Sequence, residues 1–305
     1  MIDPGSDQPT SPTVPDQSGQ LHEIPSNRTA RFAWGAVAII LVGVVALVVY
    51  ALTGPSDSLG VVRRATASDT MVAEVTRIPA SVFDTIGVDA PTTPLVAPSV
   101  LEGQPPLNAK GKPEVLFIGA EFCPFCGAQR WPLIVALSRF GHFATLTNMQ
   151  SAQLSVFPNI QTFSFVGTTY ASRYVSLTGV ELYSDAVNAQ GAFSRIATLT
   201  PGQSAVLTRY GTGSGSGSYP FVDIDNTMVT STAGFSPAII VGQSQSAIVA
   251  ALSQPDDPIG EAIVSSANYL TAGICLATGH QPQSVCSSKG VRTAAHALGV
   301  GTSRA

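Results

Sequence analysis

The stretch EVLFIGAEFCPFCGAQRW, residues 114–131, decides the fold. Glu114 to Gly119 is a short, mostly apolar run that reads as a strand. Cys123 to Phe140 then reads as a helix, with Trp131, Leu133, Ile134, Leu137 and Phe140 at core-facing spacing and Gly141 as its stop. Between them lies Cys123-Pro124-Phe125-Cys126. Two cysteines at i and i+3 in a first helical turn share one face and lie within disulfide reach. Free N–H groups and the positive end of the dipole favour thiolate there, and thiolate is the nucleophile. Cys123, nearer the exposed end, is the expected attacking sulfur, and Cys126, deeper in the helix, the resolving one. Pro124 suits the first turn because its missing N–H is an orphan there anyway.

Other readings of the pair fare less well. Residue 127 is Gly, so a haem-attachment motif fails. A four-cysteine zinc site would need Cys275 and Cys286, whose spacing is unlike a knuckle. A purely structural disulfide stays open. Cys275 and Cys286 flank a turn, Gly279-His280-Gln281-Pro282, and are expected to staple two helices; a shuttle to Cys123 and Cys126 is the sharper alternative. His142, His280 and His296 are scattered and read as solvated, and no metal or cofactor is implied.

Outward from the motif, the chain has five segments. Residues 1–31 hold five prolines and almost no aliphatic pattern, a disordered cytoplasmic tail. Residues 32–52 carry no charge and as a helix would span roughly 31 Å, enough for a bilayer. A cleaved signal peptide competes poorly, because the run is too long and too far from the start. Residues 53–110 read as a Pro-rich tether, residues 111–254 as the folded domain and residues 255–305 as a C-terminal helical extension. Counted loosely, Arg28 and Arg31 tie with Arg63 and Arg64 under the positive-inside rule; the closer pair sets the N-terminus in the cytoplasm and all four cysteines outside. The opposite orientation would make the first pair a reducing site and leave the second as free thiols. A net charge of -4 with no basic run excludes nucleic acid as a partner.

Within the domain, Phe143–Asn148, Gln161–Val166 and Tyr174–Tyr183 are strand-like. Thr200-Pro201 opens a helix ending at Tyr210-Gly211, and Gly211–Ser218 is a flexible loop with no phosphate-binding lysine. Phe221–Ile224, a turn at Asp225-Asn226 and Met228–Thr232 form a hairpin, whose second arm Ser236–Val241 would extend. Asp257-Pro258 caps a helix running to about Ala277.

Strand, CxxC helix, strand, insertion, helix, X-Pro, hairpin, helix resembles a thioredoxin-superfamily domain over roughly residues 111–254. The strand and helix of residues 114–131 are similar to the active-site segment of that superfamily, and YPFVDIDNTMV to its later hairpin. With the anchor and the tail GICLATGHQPQSVC, the chain also resembles a prokaryotic family of membrane-anchored thioredoxin-like proteins of unknown function. The resemblance implies an α/β, thioredoxin-like fold with an insertion after the second strand, a C-terminal helical extension and one preceding transmembrane helix. It implies a cis Pro220 facing Cys123, with Tyr219 and Phe125 beside the substrate. It also implies a thiol–disulfide oxidoreductase acting on protein or small-molecule disulfides or dithiols at the outer face of the cell membrane, with a membrane redox partner. A non-catalytic binding module stapled by both disulfides is the alternative.

The chain departs from the superfamily at two places. Its buried strand acid is replaced by Phe117, and Phe125 brings no cation between the cysteines. Asp223 and Glu121 are the candidate substitute proton acceptors, with a capped or solvated carboxylate the leading reading of Asp223. Glu121 is the nearest upstream acid, expected to face solvent.

Overall fold

A computed structural model describes residues 64–90, 92–212 and 219–300. The 32–52 span and residues 213–218 of the glycine-serine loop lie outside the described residues.

The N-terminal part holds β1 (Ala65–Thr66), α1 (Asp69–Thr76), α2 (Ala80–Ile86), β2 (Ser99–Val100) and β3 (Asn108–Ala109). The central part runs β4 (Lys112–Gly119), α3 (Pro124–Ser138), β5 (Gly141–Gln150), β6 (Gln161–Ser172), β7 (Ser176–Glu181), β8 (Tyr183–Val187), β9 (Phe193–Arg195) and α4 (Pro201–Tyr210). Then come β10 (Phe221–Ile224), β11 (Met228–Thr230), a 3-10 turn (Pro237–Ile240), α5 (Gln245–Ala251), α6 (Pro258–Ala277), α7 (Gln283–Cys286) and α8 (Lys289–Ala297).

The boundaries follow local chemistry. Thr200 and Gln203 form a reciprocal capping box at α4, and Asp257 accepts the Ile259 and Gly260 N–H groups ahead of α6. Asp225 and Asn226 both have positive φ, which Asp and Asn tolerate, and the Thr227 N–H closes the β10–β11 turn onto the Ile224 carbonyl.

β4 is the centre of a mixed sheet. It pairs in parallel with β7 and antiparallel with β10, which continues to β11 and β2. β3 pairs with the start of β4. Alternation sends Val115 and Phe117 into one core, with Trp131, Ile134 and Ile263 of α3 and α6. Leu116 and Ile118 enter a second, smaller core on the other face, with Leu207 of α4.

One strand expectation holds but lies in a separate sheet, and another is corrected. The run 143–148 belongs to β5, which is not a neighbour of β4; it pairs with β6 and β1 in a separate three-stranded sheet. Two adjacent runs joined by a short loop pair at low closure cost, which leaves β7 as the parallel neighbour of β4. Residues 236–241 do not extend the hairpin: Ser236 caps a 3-10 turn opened by Pro237, which has no N–H to give a ladder.

α2 is tied to the C-terminal helices. Asn268 donates to the Phe83 and Gly87 carbonyls, Asp84 accepts from the Gly290 N–H, and the Arg139 guanidinium lies 4.2 Å from the Phe83 ring centroid. Among the described residues α6 is the one helix long and apolar enough to cross a membrane, yet most of it is buried against the protein's own core.

Candidate functional site

The site forms where β4 ends and α3 begins. Cys123 is the N-cap of α3: its Sγ accepts the Cys126 N–H at 3.3 Å, and its own N–H donates to the Ala120 carbonyl at 3.2 Å. Both cysteines are free thiols in the structure. Cys123 is 6% exposed and Cys126 is fully buried, so reagents meet Cys123 first. Cys126 packs under Gly119, where an added Cβ would lie 3.4 Å from its Sγ.

The two thiols are pushed apart in acidity. The hydrogen bond from Cys126, the Cys126 N–H and the nearby Arg130 charge together lower the Cys123 pKa against the opposing effect of burial. Burial, followed by the neighbouring Cys123, drives the Cys126 pKa well up. The Cys123 thiol ionises more readily than the Cys126 thiol.

Aromatic rings flank Cys123. Phe122 stacks on Phe193 with centroids 4.0 Å apart and meets Tyr183 and Tyr219 edge-on, while Phe125 meets Phe157 edge-on. Ala152 donates to the Phe122 carbonyl at 3.0 Å and pins the 151–160 loop beside the site; Leu154 on that loop is 94% exposed. Tyr219 precedes a cis Pro220, and the Phe221–Ile118 pairing sets both at the level of Gly119. Burial and then the Cys123 charge raise the Tyr219 pKa to about 12.

The two expected acids stand elsewhere. Glu121 does not face solvent: it is 1% exposed, ion-paired with Arg64, and accepts the Ser164 hydroxyl at 2.6 Å. The loop turns it inward because those partners, 57 and 43 positions away, satisfy its charge.

Asp223 sits opposite Leu116, so it points to the face away from α3 and the cysteines. It is fully buried, its Oδ1 accepts the Asn226 N–H at 2.7 Å, and its Oδ2 has no partner. Burial raises its pKa from 3.8 to about 6. Folded protein thus keeps a proton that unfolded chain has lost, so stability falls as pH rises from about 3.8 to about 6 and stays lower above. Asp223→Asn is expected to stabilise the protein by about 1–3 kcal/mol at pH 7, with little gain at pH 3, measured by urea unfolding.

Charged groups outside the sequence expectation line the floor. Arg130, fully buried, donates from Nε to Glu181 Oε1 at 2.9 Å and from Nη2 to Glu181 Oε2 at 2.6 Å. Its guanidinium lies 5.5 Å from the centroid of the Phe117 ring. Spacing was the available signal: Arg130 is seven residues after Cys123 and four after Cys126, on the same helix face. Asp185, 6% exposed, adds a carboxyl whose pKa burial and then Glu121 raise to about 6. Among the described residues no three His, Cys, Asp or Glu side chains converge as a metal site would.

Cys275 and Cys286 are disulfide-bonded. Gly273 of α6 lies against Ile224 and Met228, and Ile224 pairs with Val115, midway along β4 and away from the cysteines. The four residue steps from Val115 to Gly119 span roughly 13 Å, which sets the Gly273 contact well away from the CPFC turn.

No curated protein and no solved structure matches the chain. One family model does match, over residues 101–276, which runs from just after β2 through the CxxC helix and the hairpin to near the end of α6. The sheet apart from β2, the Arg130–Glu181 pair and the CPFC cysteines fall inside that span, and the chain belongs to the family described as a domain of unknown function, DUF929.

Proposed function

We propose that this chain is a membrane-anchored thiol–disulfide oxidoreductase built on a thioredoxin-like fold, with its domain outside the cytoplasm. The observation that carries the reading is the asymmetric pair: Cys123 at the rim on a helix N-cap with lowered pKa, Cys126 buried beneath it with raised pKa. The strand order β7-β4-β10-β11, with α3 and α6 on one face and α4 on the other, supports the fold. The Cys275–Cys286 bond supports an oxidising compartment.

In the reaction the Cys123 thiolate attacks a substrate disulfide, forming a mixed disulfide and releasing one substrate thiolate. Cys126 then attacks Cys123 Sγ, the second substrate sulfur leaves as a thiol, and the CPFC pair is oxidised as the substrate is reduced. Run backwards, the same steps oxidise a dithiol; the partner's potential sets the direction. Tyr219 and Phe125 border the substrate's approach.

Full-length protein in detergent micelles, titrated with glutathione, tests this. Wild type exchanges, Cys126→Ser accumulates a mixed disulfide at Cys123, and Cys123→Ser loses exchange altogether. Exchange by Cys123→Ser at the wild-type rate would end the assignment. The low exposure of Cys123 favours a second reading, a non-catalytic binding module; it predicts that neither glutathione nor alkylating agents reach Cys123 in the folded protein.

A further inference from the structure

Arg130 is the one charged side chain in α3, and it is wholly buried. Taking a guanidinium out of water costs several kcal/mol unless every donor is matched. Glu181 matches two of its donors, yet Nη1 is buried with no hydrogen-bond partner. Nη2 also donates to the Ala120 carbonyl at 3.0 Å, the same oxygen that accepts the Cys123 N–H. One carbonyl therefore joins the guanidinium to the backbone of the nucleophile.

We propose that Arg130 is a positioning residue for disulfide exchange: clamped by Glu181 and the Ala120 carbonyl, its buried guanidinium stabilises the thiolate carried in turn by Cys123 and Cys126. The proposal rests on the oxidoreductase reading and supplies, from the helix floor, the cation that the CPFC loop lacks. In the resting state Glu181 balances Arg130, so a neutral Cys126 is not forced to ionise. When Cys126 resolves the mixed disulfide, its proton passes to the departing substrate thiolate. Its sulfur becomes anionic one helical turn from Arg130, whose Nη1 has no hydrogen-bond partner. Of the other titratable groups, Tyr219 ahead of β10 faces the pair, and Glu121 in the loop, Arg64 ahead of β1 and Asp185 on β8 cluster with one another near Arg130. Glu121 is matched by Arg64 and Ser164, which leaves Arg130 as the cation acting on the sulfurs.

The test is the pH profile of Cys123 alkylation by iodoacetamide in reduced, full-length protein, with the modified residue identified by mass spectrometry. The wild-type midpoint lies below the roughly 8.5 of a free thiol. Arg130→Gln/Glu181→Gln removes both charges while keeping amide hydrogen bonds; it raises the midpoint by about one unit, which is about tenfold slower alkylation at pH 7. Arg130→Lys keeps the charge and the wild-type midpoint. A folded double variant with an unshifted midpoint overturns the proposal. If the double variant fails to fold, the wild-type and Arg130→Lys profiles decide: matching midpoints below 8.5 support the proposal, and a wild-type midpoint at or above 8.5 overturns it. A protein that shows the shift but never exchanges with glutathione refutes the oxidoreductase reading alone.

Discussion

Replacing Glu181 with alanine is expected to lower the unfolding free energy by about 3–5 kcal/mol, the largest stability loss of any single change at the site. The cause is the partner left behind. Arg130 is 0% exposed, and without the carboxylate its guanidinium keeps the Ala120 carbonyl as its only hydrogen-bond acceptor. The Phe165 N–H, which donates to Glu181 Oε1 at 3.3 Å, is orphaned as well. Such a loss is a large fraction of the 5–15 kcal/mol that a domain typically has. Arg130→Gln/Glu181→Gln removes both charges together and should recover more than half of it, because no uncompensated ion stays buried. Urea unfolding of the three proteins measures the difference. A Glu181→Ala loss under about 1 kcal/mol would mean that water reaches Arg130 and that the floor of the site is not dry.

Removing the second cysteine pair is expected to have the next largest effect. Cys275→Ala/Cys286→Ala opens a loop with a sequence separation of 11, worth about 3 kcal/mol of chain entropy in the unfolded state. For a unit of this size that is a fall in Tm of about 6–12 °C. The bond holds α7 and α8 to the end of α6, and through Asn268, Gly290 and Asp84 those helices hold α2. Cys123 alkylation should be unchanged, because Gly273, two residues before Cys275, packs on Ile224 and Met228 rather than at the CPFC turn. Calorimetry reads the first effect and alkylation rates the second; slowed alkylation would show that the two pairs are coupled after all.

The parts of this protein legible in sequence are those fixed within a few residues. Pro124, Thr200-Pro201 and Asp257-Pro258 start helices because they answer the free N–H groups of a first turn, and those starts are where the motifs place them. Asp225-Asn226 forms the hairpin turn because both residues accept positive φ. Cys123 and Cys126 share a helix face by spacing alone. Tertiary structure decided what depends on partners far along the chain. β5 pairs with β6 because two neighbouring runs close a hairpin at low entropic cost, leaving the place beside β4 to β7. Asp223 turns from the cysteines because strand parity, set by its register with β4, assigns its face. Glu121 and Arg130 are buried although charged side chains belong in water, and only the fold could bring Arg64, Ser164 and Glu181 to them. The cysteine pair could therefore be read from four consecutive residues, whereas the buried charges packed around it required the whole sheet.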